Sequence, residues 1–286
     1  MDMTDKDQEA FDKLLSKLIF QNDRERSKFW RMMEDEQATA NAKLDELIDL
    51  AYEAESEKEV ADLTEKILQI DPENTEALVL LAQVQEDLDK ATAYFEEAVQ
   101  SAERKLGKAY FQKNKGYFWG LIETRPYMRA LFGLAECYTE KEEVDKAIAI
   151  YRKMIDLNPN DNQGVRYSLA SSYLEKADLP GYESLVELFE EEASAFFQFN
   201  HSLYLLLKTG RSLKANRQLR KAAQANGYVI DYLTFAEDYY EVPDTYTSGE
   251  ESEAIVYNSI AGLAWANHPK AMAWLFDYKA NKLRFI

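Results

Sequence analysis

The chain has 286 residues, 46% of them hydrophobic, and a formal net charge of −18. A surface this acidic repels nucleic acid and anionic lipid as a whole, and a single cysteine, Cys137, excludes an internal disulfide framework and any cysteine-cluster metal site. Only 10 glycines and 6 prolines punctuate a sequence rich in Ala, Leu, Glu and Lys, which argues against an all-β protein and for helices.

The opening MDMTDKDQEA lacks the basic and apolar regions of a signal peptide, and no apolar run approaches the roughly 20 residues of a membrane span. A cytoplasmic protein is the expectation. Thr4 with Asp7 predicts a capped helix start. Phe11, Leu14, Leu15, Leu18 and Ile19 then share one helical face, which either caps the end of the fold or pairs with a second copy as a homodimer. Phe29, Trp30 and Met33 mark a further helical surface, so residues 1–40 read as an N-terminal helical extension.

From Leu44 a two-helix pattern begins: Leu47, Ile48 and Ala51, then Val60 and Ile67, closing at Asp71-Pro72 with the proline expected in the first turn of the next helix. A second pair runs from Thr75 through Leu78, Leu81 and Ala82, turns at Asp87 to Asp89, and continues through Ala91, Phe95 and Ala98. The phase then breaks. Residues 101–127 read as an insertion or a lengthened helix, rich in aromatics and interrupted by Gly107, Gly116 and Gly120.

The strongest pattern lies between Glu123 and Asn162. Leu131, Leu134, Ala135 and Tyr138 share one helical side, Ala147, Tyr151 and Met154 follow on a second helix, and Asn158-Pro159 closes the pair. Gly133 and Ala135 are small where two helices must approach; Tyr138 and Tyr151 are large where a gap must be filled. Further pairs follow at Val165, Leu169, Ala170 and Tyr173 with Leu185 and Phe189 beyond a Pro180-Gly181 break, and at Phe199, Leu203 and Leu206 with Ala215, Leu219 and Ala222 beyond Gly210. Residues 238–249 read as a loop. Ser248 with Glu251 predicts a capped helix through Ala254, Tyr257 and Ile260, and His268-Pro269 opens a last helix with Trp274 and Leu275.

The spacing Leu-x-x-Leu-Ala-x-x-Tyr, then Ala-x-x-x-Tyr, then Pro resembles the tetratricopeptide (TPR) repeat of about 34 residues. The fold expected is therefore an all-α, TPR-like helical-repeat solenoid of about five helix pairs. Its N-terminal helical extension is 1–40, its solenoid 41–237 with the insertion at 101–127, and its C-terminal loop and helical cap 238–286. The stretches Phe118-Trp119-Gly120, Glu123-Thr124-Arg125-Pro126-Tyr127-Met128-Arg129-Ala130 and Asn158 to Tyr167 further resemble a segment of bacterial TPR-like proteins. That resemblance implies a scaffold for protein–protein interaction and nothing about an activity.

Signs of catalysis are scarce. The two histidines, His201 and His268, stand far apart without carboxylate or cysteine spacing for zinc, and no Walker loop, dinucleotide turn or nucleophile elbow is present. No enzyme, cofactor or metal is expected. The charge distribution says more. Between Arg104 and Ala135 the sole acid is Glu123, and Ala193 to Ile230 contains none, against Lys208, Arg211, Lys214, Arg217, Arg220 and Lys221. Such gaps either pair with acidic neighbours, Glu190 to Glu192 among them, or face an acidic partner. Because first helices of TPR repeats line the concave face, the resemblance implies that Arg129 and Phe132 neighbour Arg166 and Tyr167 there, with Arg125 one turn earlier on the same helix. Guanidiniums beside aromatic rings suit a carboxylate or phosphate. These five residues are the candidate partner-binding set, for an acidic peptide or, alternatively, a small anionic ligand. The competing reading is a structural ion network of Glu123, Arg125, Arg129 and Asp161. TPR modules that grip acidic chaperone tails use Lys and Asn on these faces; Val79, Gln83, Phe132, Glu136, Tyr167 and Ser171 stand here instead, which argues against that ligand.

Overall fold

In a computed structural model, which describes residues 23–189, 194–234 and 241–283, the chain is helical and, among the described residues, without strands. The expected helix over Phe11 to Ile19, and the dimer contact assigned to it, lie outside the described residues, as do Glu190 to Glu192. The chain divides into two compact units, Met1–Asn114 with Leu121–Leu134, and Lys115–Gly120 with Ala135–Ile286.

The first unit holds α1 (Asp23–Glu53), α2 (Glu57–Ile70), α3 (Thr75–Gln83) and α4 (Leu88–Asn114), then a 3-10 turn at Ile122–Thr124 and the start of α5 (Arg125–Glu140). From α1 to α4, successive helices pack on one another. Polar caps set the starts: Ser56 accepts from the Glu59 amide, Asn74 from Ala77 at 3.0 Å, and Asp87 from Asp89 and Lys90. Pro72 sits in the turn before Asn74 rather than in a helix. The extension boundary drawn at residue 40 falls inside the continuous α1. The aromatic insertion is mostly a lengthened α4, kinked at Gly107 with φ 71° and ψ 158°, a conformation that costs an L side chain dearly.

The core of this unit is Ile67, Ala77, Phe95, Ala98, Tyr127 and Leu131, all nearly inaccessible. Gly133 of α5 is small for a specific reason: a Cβ there would run into the ring of Phe95.

The second unit holds the end of α5, then α6 (Val144–Leu157), α7 (Val165–Glu175), α8 (Leu179–Leu188), α9 (Ala195–Thr209), α10 (Leu213–Ala225), α11 (Val229–Thr234), α12 (Glu251–Ala266) and α13 (Pro269–Leu283). Helices α5 and α7 end alike. Glu142 and Ala177 take left-handed φ values of 60° and 54°. The amides of Glu143 and Asp178 reach back to the carbonyls of Tyr138 and Tyr173, and those of Glu142 and Ala177 to Thr139 and Leu174. Both are Schellman caps built without glycine. Pro180-Gly181, read as a break, lies in the first turn of α8, where Asp178 accepts from the Gly181 amide at 3.0 Å.

The C-terminal cap is more than an end piece. Helix α12 leaves the sequential order and packs on both α7 and α9. Its buried Tyr257 donates to Asn200 Oδ1 at 2.9 Å and accepts from Trp265 Nε1 at 2.7 Å, with the rings of Phe196 and Phe199 about it. The expected Ser248 cap does not form: Glu250 holds the N-cap position without a side-chain bond. The buried Glu253 instead reaches back, accepting from the Gly249 amide and from Asn226 Nδ2 at 2.8 and 2.9 Å, which pins the described part of the expected loop.

Replacing Gly133 by Ala normally strengthens a helix by nearly 1 kcal/mol. Here the buried Phe95 ring must give way, so Gly133→Ala is expected to lower stability by about 1 to 3 kcal/mol in a urea melt. A rise in stability would show that the helix contact is looser than described.

Candidate functional site

In the first unit, Arg129 is committed to an internal carboxylate. Its Nη2 lies 2.5 Å from Glu76 Oε2, and Glu76, on α3, is 7% exposed and also accepts from the Tyr52 hydroxyl. A buried carboxylate needs such neutralisation. Arg125 and Phe132 are half-buried on the same helix. Glu123 accepts from the Tyr110 hydroxyl at 2.8 Å. Burial, then that bond, push the Tyr110 phenol up to about 12.

In the second unit, the NDNQGVRY stretch serves as a helix start. Asp161, 4% exposed, accepts from the amides of Val165 and Arg166 at 2.7 and 3.1 Å, and from Arg166 Nη1 at 2.8 Å. The carboxylate faces the positive end of α7. Arg166 also bonds the Tyr167 hydroxyl at 2.7 Å and lies over the rings of Tyr167 and Phe189, 4.3 and 5.5 Å from their centroids. Tyr167 packs in turn on Phe196 at 4.6 Å. Arg166 and Tyr167 are thus brought together, while Arg129 and Phe132 belong to the other unit.

The basic stretches also find acids. Lys105 bonds Asp71 and Arg104 bonds Glu73 in the first unit; Lys115 bonds Asp156, Lys208 bonds Glu183 and Arg211 bonds Asp277 in the second. His268 precedes α13 and its Nε2 lies 2.8 Å from the Leu174 carbonyl. His201 is stacked on Tyr204, and burial followed by Lys214 and Lys221 lowers its affinity for a proton. Among the described residues no three His, Cys, Asp or Glu side chains gather closely enough to hold a metal ion, and no helix is long and apolar enough to cross a membrane.

A different feature of the second unit is open to a ligand. Between α5, α6, α7 and α12 lies a recess of about 330 Å³. Glu136, Glu140 and Glu175 reach it from two successive first helices, Ser168, Ser171 and Ser172 line it, and Ile260 and Leu263 of α12 form its apolar side. Ser172 donates to the Ser168 carbonyl, but Ser171 Oγ, in a residue 3% exposed, has no partner. Glu136 is exposed by area because the recess is open. Protein surrounds the recess on several sides, and this enclosure pushes its carboxyl up to about 7. Burial also raises Glu175, against the opposing pull of Asn267, which donates to its Oε1 at 3.0 Å.

Glu136 and Ser171 stand among the face positions the repeat pattern identifies. Glu175, Ser168 and α12 belong to no motif; the helix spacing of α7 puts Ser168 and Glu175 beside Ser171, and the return of α12 adds the apolar side.

No family model matches the chain, and no curated protein matches it significantly. Among solved structures, it is similar to the crystal structure of YrrB, described as a TPR protein with an unusual peptide-binding site. The identity is 17% and the TM-score 0.48, over 62% of this chain and 81% of that one. The helix pairs described above, not that likeness, define the architecture.

The pH dependence of stability tests the recess. An unfolded glutamate titrates at about 4.3, whereas burial raises Glu136 in the fold to about 7. Its contribution to stability is whole below the lower value and is lost as pH rises through the higher one. Glu136→Gln is therefore expected to match the wild type in melting temperature at pH 4 and to exceed it at pH 8. Parallel melting curves across that window would place Glu136 in open solvent.

Proposed function

We propose that the chain is a non-catalytic, cytoplasmic helical-repeat scaffold that takes a segment of a partner protein into the recess bounded by α5, α7 and α12. The observation that carries this reading is the unpartnered Ser171 hydroxyl on the wall of an open cavity. Buried polar groups are almost always satisfied, so an unbonded hydroxyl at such a place fits a bound group that completes it. The repeat resemblance, with ligands carried on first helices, supports the same location.

A second reading keeps the arginines as the partner-contacting set. Its support is Arg166, which offers a partly open guanidinium, 20% exposed, over the Tyr167 ring to an acidic peptide or small anion. Asp161 already neutralises that charge, so the recess is the stronger candidate. On this second reading Arg125, Arg129 and Phe132 would act from the first unit.

Selection from a displayed random-peptide library tests the scaffold. The wild type is expected to enrich related sequences whose binding falls at least tenfold on Ser259→Trp, a change at an exposed position that fills the recess mouth. No enrichment, or peptides that bind Ser259→Trp equally well, would contradict it.

A further inference from the structure

We infer that the recess of the second unit holds a protonated primary amine, the side-chain ammonium of a lysine in the partner's chain, between Glu136, Glu175 and Ser171. The inference rests on the scaffold reading above and names the chemistry of its ligand.

Charge sets the sign of the ligand. Three glutamates line the recess and no Lys, Arg or His does. An anion would meet only repulsion, whereas a cation relieves the mutual repulsion of carboxylates held in partly desolvated surroundings. Both Glu136 and Glu175 hold their protons more tightly than an ordinary glutamate, so each gains from an incoming positive charge.

The donor pattern sets its kind. An ammonium offers three donors and no acceptor, and the recess offers carboxylates from two helices and a buried hydroxyl whose lone pairs are unused. A guanidinium prefers one carboxylate in a planar fork and an aromatic face to stack on, an arrangement that Asp161 and Tyr167 supply to Arg166 elsewhere in this unit. A metal ion is a poorer fit, because no three acidic side chains among the described residues stand close enough to ligate one. The stem sets its length. Ile260 and Leu263 form an apolar wall beside the acids, Leu263 being 55% exposed, and a lysine's methylene chain covers such a surface while its charged head reaches the polar end. Asn267, holding Glu175 Oε1, keeps that carboxylate oriented in the meantime.

Titration by NMR or calorimetry with N-acetyl-lysine methylamide, its neutral counterpart N-acetyl-norleucine methylamide, and n-butylammonium tests the inference. The proteins are the wild type, Ser171→Ala and the double variant Glu136→Gln/Glu175→Gln, each checked for an intact melting transition. The lysine derivative is expected to bind the wild type and the norleucine derivative not. The double variant should weaken lysine binding at least tenfold, and Ser171→Ala severalfold. Equal binding of the norleucine derivative, or unchanged lysine affinity in the double variant, would overturn the inference. Tighter binding of n-butylammonium than of the lysine derivative would overturn the assignment to a partner's lysine and leave a free-amine site. Selected peptides that lack lysine and bind the double variant normally would sink the amine while leaving the scaffold standing. Lysine binding without any peptide enrichment would sink the scaffold and leave the amine chemistry intact.

Discussion

The second unit depends on one buried carboxylate. Asp161 caps α7 with both oxygens, accepting from two backbone amides and from Arg166. Removing its partner would leave a charge out of water, which costs several kcal/mol. Arg166 is therefore held, and its position over Tyr167 fixes the ring against which Phe196 of α9 packs. One cap thus sets the start of α7, the orientation of its first turn and the seat of the next helix pair.

Helix α7 carries the packing on from there. It is covered on several sides, and its Ala170, Ser171 and Ser172 are all nearly inaccessible. Small residues let α12 lie close, where Ala261 and Ala264 are equally buried. Close packing at one level leaves a gap at another: where glutamates replace apolar fillers on α5 and at the end of α7, the helices enclose the open recess. The recess is a by-product of packing whose chemistry is not neutral. Apolar side chains would fill it more cheaply than carboxylates, which lose hydration there.

Much of the fold was legible in the sequence. Leu131, Leu134, Ala147, Tyr151 and Met154 recur at helical spacing because one side of each helix is buried, and all five are core residues. The small Gly133 was legible too, since a repeat needs a close approach at that place. The Schellman turns were not, because Glu142 and Ala177 give no glycine signal. Nor was the choice of partners: Arg129 takes Glu76, 53 residues away in the chain, and Asp161 takes Arg166, whereas one reading of the sequence grouped Glu123, Arg125, Arg129 and Asp161 in a single network. The candidate site was half visible. Arg166 and Tyr167 are neighbours in sequence and in space, and Glu136 and Ser171 stood out as atypical face residues. Helix α7 hid the rest. Its Ser168, Ser171, Ser172 and Glu175 share one polar face, which reads as solvated until α12 is known to lie over it, and that helix comes from the far end of the chain.

The Asp161 cap holds α7 in place, and α12 depends on α7. Native-state hydrogen exchange on the wild type and Asp161→Ala measures this most directly, because protection reports the opening of each helix separately. Amides of Val165–Glu175 and Glu251–Ala266 are expected to lose protection together in the variant. Retained protection across α12 while α7 exchanges freely would contradict it.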